Sequence, residues 1–268
     1  MCRHIACLGP SEPLGEVLVR PRHALVRQSW EPRRQRHGTV NADGFGVGWY
    51  ADDDPVPARY RRAGPIWADL SFADLARVVR SGAVLAAVRD ATEAGADGEA
   101  AAAPFAAGPW LFSHNGALTG WPVSAAPLAA TLPPAELLGM AARCDSALIW
   151  ALVLHRLREG DPLGQALADS VTDLAAAAPG SRLNLLLTDG TAIAATAWGD
   201  TLWYLTEPGT TASTASTTTG STGAGAGRTV VASEPYDDGP GWREVPDRTL
   251  LVATRTDVQL TPLKEPTA

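Results

Sequence analysis

The second residue of the chain is a cysteine whose position suggests chemistry. Cys2 directly follows the initiator methionine and precedes the short apolar run Ile5-Ala6-Cys7-Leu8. Removal of Met1 would place a thiol and a free α-amine on one residue. The thiolate is a nucleophile, and an α-amine with a reference pKa of about 8 can accept its proton near neutral pH. The alternative is a small residue tolerated at position 2, so the nucleophile hypothesis needs support from other residues.

Polar residues terminate two apolar runs farther along the chain. Residues 83–89 read Ala-Val-Leu-Ala-Ala-Val-Arg, and Thr92 follows Arg89 by three residues. Residues 110–116 read Trp-Leu-Phe-Ser-His-Asn-Gly. Buried strands end in this way where they reach a cleft. The pattern predicts that Arg89 and the pair Asn115-Gly116 meet in one pocket.

Glycines alternate with apolar residues in segment 41–50, which contains Phe45, Val47 and Trp49. One face of such a strand carries no side chains, so a ligand or another backbone can approach closely. Two interpretations remain open, namely packing of the sheet against a substrate and a glycine-rich core strand. A phosphate-binding P-loop is excluded because Lys264 is the only lysine in the chain.

Two helices are predicted in the middle of the chain. Helical spacing covers 135–159, with Asp145 or Ser146 as the N-cap of its second part, and a capping role alone is an alternative explanation for Asp145. The next helix is predicted to start with Asp161-Pro162, the aspartate as cap, and to end before Pro179-Gly180.

Strands dominate the remainder of the chain. They are predicted at 3–9, 182–188, 191–198, 201–205, 229–233, 249–254 and 257–261. Asp189-Gly190 and Gly199-Asp200 are hairpin signals, so the strands on either side of them are predicted to form an antiparallel meander. The order of strands and helices predicts an α+β fold with two antiparallel sheets between helical layers.

The segment 208–227 consists almost entirely of Thr, Ser, Gly and Ala. This composition predicts a disordered surface loop. The length of the chain favours a single domain over 1–268.

Composition excludes several classes of function. The net charge is -7, and no block of Lys and Arg is long enough to follow a phosphate backbone, which argues against nucleic acid. No stretch approaches the roughly 20 apolar residues of a membrane span, and no signal peptide is recognisable, so a cytoplasmic protein is predicted. The 3 cysteines and 5 histidines show no C-x-x-C or H-E-x-x-H spacing, which predicts reduced thiols and no metal site.

In combination and order, these motifs resemble those of the class II glutamine amidotransferases, which are N-terminal nucleophile hydrolases. The matching residues are Cys2, 43–49, Arg89 with Thr92, 112–116 and Asp145. Within that group the chain is most similar to the γ-glutamyl hydrolases of the ergothioneine pathway, through residues 1–4, 21–23, 41–50 and 65–67. The resemblance implies a four-layer αββα sandwich without a cofactor. It also implies a small-molecule substrate, and in those enzymes the γ-glutamyl amide of γ-glutamyl-hercynylcysteine S-oxide is cut.

The resemblance also implies roles for individual residues in catalysis. Cys2 would attack the γ-carbonyl carbon, with its own α-amine as base and later as proton donor to the leaving amine. The side-chain amide of Asn115 and the backbone N–H of Gly116 would hold the oxyanion.

A second set of residues would bind the glutamyl group. Arg89, with Thr92, would bind the α-carboxylate, and Asp145 would pair with the α-ammonium. His114 is a further candidate for substrate binding, with a structural hydrogen bond as the alternative. Ser233-Glu234 resembles a late substrate-side motif of the group.

The chain departs from many of these amidotransferases at four neighbouring positions, which put the use of glutamine in doubt. They are Ala87, Asp90, Cys144 and Ala147. The leading hypothesis is a stand-alone γ-glutamyl amide hydrolase, since little chain follows the hydrolase domain. A glutaminase subunit that supplies ammonia to a separate synthase is the second hypothesis, and a catalytically silent γ-glutamyl sensor is the third. Homo-oligomer formation is left open. Trp30, Trp67, Trp110 and Trp121 are candidates for recognition of the leaving group, with packing in the core as the alternative for each.

Overall fold

Two antiparallel sheets form the centre of the protein in a computed structural model, which describes residues 2–91, 98–209 and 227–264. The strands are β1 (Arg3–Pro13), β2 (Phe45–Ala51), β3 (Asp54–Arg62), β4 (Arg80–Val88), β5 (Phe105–Ala107), β6 (Trp110–Ala117), β7 (Arg182–Thr188), β8 (Ile193–Ala197), β9 (Trp203–Glu207), β10 (Arg228–Ala232), β11 (Arg243–Glu244), β12 (Thr249–Ala253) and β13 (Val258–Pro262). One sheet has the order β11-β9-β10-β1-β4-β2-β3 and the other the order β13-β12-β8-β7-β6-β5. Thr92 and most of the predicted loop, residues 210–226, lie outside the described residues.

Helices cover the outer face of each sheet. They are α1 (Leu14–Leu18), α2 (Leu25–Gln28), α3 (Leu70–Val78), α4 (Ala126–Ala129), α5 (Pro134–Leu138), α6 (Asp145–Glu159) and α7 (Leu163–Ala177). The first three pack on the seven-stranded sheet, and α6 and α7 pack on the six-stranded sheet with α4 and α5 against them. A third apolar cluster fills the space between the sheets. The predicted α+β fold with an αββα layer order is therefore confirmed. Among the described residues, no helix is long and apolar enough to cross a membrane.

Side-chain alternation along β1 decides which residues face the other sheet. Ile5 and Cys7 pack towards α1, α2 and α3, whereas Ala6 and Leu8 pack between the sheets. Because the side-chain period of a strand is 2, Cys2 and His4 belong to the same face as Ala6. A contact of 3.2 Å between His4 Nδ1 and Ser113 Oγ of β6 confirms this orientation for His4. The start of β1 is thus held against the end of β6.

Buried His4 should make the stability of the fold depend on pH. Burial lowers the pKa of His4 from 6.5 to about 3, and the charges of His114 and Arg3 contribute. As the pH falls from about 6.5 towards about 3, the unfolded chain binds a proton at His4 and the folded chain does not. The free energy of unfolding should therefore decrease, by at most about 1.4 kcal/mol per pH unit. Urea unfolding at about pH 7 and about pH 4.5 measures the change.

The control for this effect is His4→Gln, which removes the titrating group and keeps a polar side chain. The contributions of all carboxylates are common to both proteins and cancel in the comparison. The variant should lose less stability than the wild type between the two pH values. An identical loss in the two proteins would contradict the assignment.

The alternating glycines of β2 serve the packing of the two sheets. A Cβ atom at Gly46 would lie 2.4 Å from the Ala103 carbonyl oxygen, and one at Gly48 would lie 2.6 Å from a methyl group of Leu111. The space beside these two glycines is thus filled by Ala103 and Leu111 of the protein itself. Of the two interpretations of this segment, the geometry favours the glycine-rich core strand over packing against a substrate.

The predicted meander is correct at its first turn and wrong at its second. Asp189-Gly190 joins β7 and β8 as an antiparallel hairpin, but Gly199-Asp200 carries the chain from β8 in one sheet to β9 in the other. The side chain of Asn184 accepts hydrogen bonds from Trp198 N (2.9 Å) and Asp200 N (3.3 Å), and donates to the Asp200 carbonyl (3.0 Å). These bonds replace the ladder that a hairpin would have formed at this turn.

Both predicted helix starts are displaced by at least one residue. Cys144 is the N-cap of α6, which makes Asp145 the first helical residue, and Pro162 rather than Asp161 precedes α7. The predicted strand 3–9 is also extended, because β1 passes Gly9 and Pro10 with a register shift between Leu8 and Glu12. The N-cap function therefore does not account for the presence of Asp145.

Candidate active site

A cavity of about 220 Å³ lies where β1, β4, β6 and the start of α6 meet. Four of the predicted site residues line it, namely Cys2, Arg89, Gly116 and Asp145. Asp90, Trp121, Arg143 and Cys144 are also part of its wall. A larger cavity of about 370 Å³, near Arg59 and Trp150, has no cysteine, serine or histidine in its wall.

Strand pairing places Cys2 beside Arg89. Arg3 of β1 is paired with Val88 of β4 in antiparallel register, so the next pair outwards is Cys2 and Arg89. The two residues leave the sheet together at the cavity. Sheet register thus makes the Cys2 thiol and the Arg89 guanidinium neighbours.

The motif Asp43-Gly44 fixes the backbone on which Arg89 is carried. Asp43 N donates to the Arg89 carbonyl (2.9 Å) and Arg89 N donates to the Gly44 carbonyl (2.8 Å). The Asp43 carboxylate accepts from Ala91 N (2.8 Å), and the Asp43 carbonyl accepts from Arg89 Nη1 (3.3 Å). Gly44 has a φ of 128°, a conformation that favours glycine. The chain therefore turns at a defined position directly after β4.

Burial determines the protonation state of the Cys2 thiol. Burial raises the pKa of Cys2, and the carboxylate of Asp145 acts in the same direction. The positive charge of the N-terminus, a hydrogen bond from the backbone N–H of Asp90 and the charge of Arg89 act against it, but less strongly. The thiol form thus prevails near neutral pH, and attack by Cys2 requires a base. Burial also raises the pKa of Cys144, to about 11.

The Asn115 amide is buried without a hydrogen-bond partner. Asn115 has 0% exposure, and neither its Nδ2 nor its Oδ1 atom has a partner among the described residues. An unsatisfied buried polar group costs about 1 to 3 kcal/mol, so such groups are rare away from functional sites. Alternation along β6 turns Asn115 towards the other sheet, as it does Ser113. Within the described part of the chain the amide is therefore a donor with no competing partner, on the face of β6 that contacts His4 of β1.

Gly116 brings the backbone of β6 close to that of β7. A Cβ atom at this position would lie 1.9 Å from the Arg182 carbonyl oxygen and 2.6 Å from His114 Nε2. No larger residue fits this position without displacing the backbone. The backbone of Gly116 can consequently form part of the cavity wall beside Asn115.

Asp145 is held at the start of α6 by backbone donors. Its Oδ2 atom accepts from Leu118 N (3.1 Å) and its Oδ1 atom accepts from Ser146 N (2.7 Å). The carboxylate and Arg89 line the same cavity with opposite charges. This arrangement is complementary to a group that carries both an ammonium and a carboxylate.

Three other residues named from the sequence, His114, Ser233 and Glu234, are buried and do not line the cavity. His114 is 2% exposed, and its ring nitrogens contact Ser146 Oγ (2.9 Å) and the Arg182 carbonyl (3.0 Å). This geometry agrees with the structural alternative, and direct substrate binding by His114 stays a prediction. Glu234 accepts from Arg33 N and Arg34 N, and Ser233 Oγ accepts from His4 N. The motif Ser233-Glu234 thus supports β1 and the loop 31–41.

Sequence reasoning missed one charged residue of the cavity wall entirely. Arg143 lies between α5 and α6, where no pattern distinguishes it from other exposed basic residues. Asp90 was noted only as a departure from the family. Of the four tryptophans considered for the leaving group, Trp121 lines the cavity, whereas Trp30 and Trp67 contact each other with ring centroids 5.7 Å apart. Within the described residues no group of His, Cys, Asp and Glu could hold a metal ion.

Comparison with known proteins assigns the family. The family model for class II glutamine amidotransferases matches residues 23–267. The chain belongs to the class II glutamine amidotransferases. A gamma-glutamyl-hercynylcysteine sulfoxide hydrolase of Mycolicibacterium smegmatis is 39% identical to this amidotransferase over 264 residues, which cover 98% of this chain and 100% of the relative.

Solved structures of other amidotransferases share the fold. A class II domain protein of Silicibacter pomeroyi has a TM-score of 0.64 and 23% identity, with 98% of this amidotransferase and 100% of that chain covered. Glutamine phosphoribosylpyrophosphate amidotransferase of B. subtilis has a TM-score of 0.63 and 18% identity. That match covers 98% of this amidotransferase and 49% of the other chain. The αββα sandwich of this amidotransferase is therefore the fold of the family.

Proposed function

We propose that this amidotransferase hydrolyses the γ-glutamyl amide of γ-glutamyl-hercynylcysteine S-oxide and releases glutamate. One observation carries the proposal: Cys2, Arg89 and Asp145 share one cavity beside the unpartnered amide of Asn115. The relative from M. smegmatis, named for this reaction and 39% identical over 98% of the chain, supports the choice of substrate.

Glutamyl recognition follows from the opposite charges in the cavity. Arg89 binds the α-carboxylate of the substrate, and Asp145 binds its α-ammonium. A γ-linked glutamyl group leaves both of these groups free, whereas an α-peptide bond would consume the carboxylate. The γ-carbonyl carbon then lies towards Cys2. Thr92 is included in the proposal as a further ligand of the carboxylate.

Acylation starts once Met1 has been removed and Cys2 carries the α-amine. The amine takes the proton of the Cys2 thiol as sulfur attacks the γ-carbonyl carbon, and the carbonyl π electrons move to oxygen. The side-chain amide of Asn115 and the N–H of Gly116 donate to this oxyanion. Collapse of the intermediate breaks the C–N bond, and the leaving amine receives the proton from the α-ammonium of Cys2.

Deacylation repeats these steps with water as nucleophile. The α-amine accepts a proton from a water molecule while the oxygen of that water attacks the thioester carbon. The oxyanion forms again in the same place. Collapse breaks the C–S bond, returns the proton to the thiolate and releases glutamate. No oxidant, reductant or metal enters the balance of either step.

A paired hydrolysis assay tests the proposed substrate. The purified protein is given γ-glutamyl-hercynylcysteine S-oxide or glutamine, and glutamate and ammonia are followed together. We expect fast glutamate release from the sulfoxide without ammonia. Faster release of glutamate and ammonia from glutamine would instead indicate a glutaminase that supplies a synthase. An intact mass that includes Met1 would contradict the mechanism as written, because Cys2 would then lack its α-amine.

Arg89→Gln tests the recognition of the α-carboxylate. Hydrogen bonds to a charged group contribute about 1.5 to 3 kcal/mol, so kcat/KM should fall by roughly 10- to 100-fold, mainly through KM. Initial rates against substrate concentration give both constants. The matched control is Arg143→Gln, which removes another positive charge from the same cavity wall. Equal losses in the two variants would show that general positive charge, and not Arg89 specifically, attracts the substrate.

A further inference from the structure

We infer that His114 is a positioning residue, which keeps the proton of the Ser146 hydroxyl away from Asp145 so that this carboxylate can bind the substrate ammonium. The inference rests on the proposed function, in which Asp145 binds the α-ammonium of a γ-glutamyl group. It concerns a residue that does not line the cavity.

His114 follows Ser113 on β6 and points to the opposite side of the sheet from Asn115. Phe112, two residues earlier, packs in the apolar cluster that contains α6, and His114 Nδ1 lies 2.9 Å from Ser146 Oγ in the first turn of that helix. The ring is 2% exposed, so water does not compete for its nitrogens. His114 therefore joins the strand of the oxyanion donors to the helix of Asp145.

The hydrogen-bond partners determine where the ring proton is. The Arg182 carbonyl, 3.0 Å from His114 Nε2, can only accept, so Nε2 carries a proton and donates it. In the neutral ring Nδ1 then has no proton and is an acceptor. Ser146 Oγ has one proton, and it is donated to Nδ1. The Arg182 carbonyl of β7 thus fixes the direction of both hydrogen bonds, from Ser146 to His114 and from His114 to the carbonyl.

This direction matters for Asp145 because the Ser146 hydroxyl can also donate to Asp145 Oδ1, 3.4 Å away. His114 Nδ1, at 2.9 Å, is the nearer of the two acceptors that compete for the one proton. With its proton on the His114 side, the hydroxyl presents lone pairs to the carboxylate and does not donate to it. Without an acceptor at position 114 the hydroxyl would rotate and donate to Oδ1. That bond would offset part of the negative charge that the carboxylate offers to the substrate ammonium.

A purely structural role for His114 makes a different prediction. The ring also packs beneath Gly116, where a Cβ atom would lie 2.6 Å from Nε2. If His114 only supported this backbone, its loss would slow every substrate to the same extent. A positioning role for Asp145 affects only substrates that have an α-ammonium.

The experiment compares γ-glutamyl-hercynylcysteine S-oxide with its glutaryl analogue, which keeps the carboxylate for Arg89 and lacks the α-ammonium. The ratio of their kcat/KM values is the readout. We expect at least about a tenfold preference for the γ-glutamyl substrate in the wild-type enzyme, and a decrease of this ratio by about tenfold in His114→Ala. His114→Gln should keep the ratio, because its amide can accept from Ser146 and donate to the Arg182 carbonyl.

The double variant His114→Ala/Ser146→Ala provides the decisive comparison. It has no hydroxyl proton to donate to Asp145, so the preference lost in His114→Ala should return. A double variant with a ratio as low as that of His114→Ala would overturn the inference, and so would an equal loss with both substrates. If His114→Ala does not fold, His114→Leu fills the same space without an acceptor and replaces it in both comparisons.

Failure of the inference and failure of the proposed function give different results. A wild-type enzyme that releases glutamate or glutarate from neither substrate would overturn the proposed function. One that cleaves both equally well would overturn the role of Asp145, and the inference with it. Discrimination that is lost in Asp145→Asn and fully retained in His114→Ala would overturn the inference alone.

Discussion

Replacement of Cys2 by Ala is expected to lower kcat for glutamate release by a factor on the order of 10⁶, as for the loss of a nucleophile in other covalent hydrolases. In the proposed mechanism the sulfur atom of Cys2 forms the thioester. Alanine has no nucleophilic atom that could replace it at the start of β1. Substrate binding should persist, because Arg89 and Asp145 are untouched. Single-turnover kinetics with substrate in excess of KM measure the loss, and titration calorimetry measures binding.

Cys144→Ala is the matched control for this loss. Cys144 lines the same cavity, and its pKa is raised to about 11, so it is a poor nucleophile near neutral pH. We expect its removal to change kcat by only a few-fold. An acid-quenched reaction should show one glutamyl group bound to the wild-type and Cys144→Ala proteins and none on Cys2→Ala. Normal turnover by Cys2→Ala would contradict the mechanism.

Asn115→Ala is expected to decrease kcat by about 10²- to 10³-fold, the effect of losing one oxyanion donor. The oxyanion exists in the transition state and not in the bound substrate, so KM should change little. Steady-state kinetics with the γ-glutamyl substrate separate the two constants. A rise in KM at constant kcat would show that Asn115 binds the ground state instead.

The effect on stability distinguishes Asn115 from Asn184, its partner in the register of β6 and β7. The Asn115 amide has no partner within the described part of the protein, so its removal should leave the free energy of unfolding unchanged or increase it. The Asn184 amide bonds four backbone groups between Trp198 and Thr201, so Asn184→Ala should destabilise the fold by several kcal/mol. Equal destabilisation by the two changes would contradict a functional role for the unpartnered amide.

The meeting of Arg89 with Gly116 could be predicted because it depends on local patterns. Each apolar strand ends in polar residues at the point where it leaves the core, and such ends collect at one edge of a layered fold. Cys2 lies at the same edge because the first strand begins at the next residue, Arg3. The family resemblance added Asp145, which no periodicity in the sequence would have connected with Cys2.

The features that could not be predicted depend on contacts between distant residues. Gly199-Asp200 has the composition of a hairpin turn, and the side chain of Asn184 on another strand redirects it to the second sheet. The glycines of β2 can accommodate a ligand as well as a strand, and only the position of Leu111 decides between them. Arg143 lies at the cavity because it belongs to the segment between the end of α5 and the start of α6. Such helix boundaries are poorly defined by sequence.

The position of β1 inside its sheet has a consequence for how the enzyme loses activity. The first residues of a chain usually fray, but here the amides near the terminus are paired with β4 on one side and β10 on the other. Arg3 is paired with Val88, and His4 exchanges bonds with Ser233, so the protected ladder begins one residue after Cys2. Local opening of this terminus would require the central strand of the sheet to separate, which is close to global unfolding. We therefore expect β1, which directly follows Cys2, to belong to the slowest-exchanging unit of the protein, and heat to abolish catalysis and the native fold in one cooperative step.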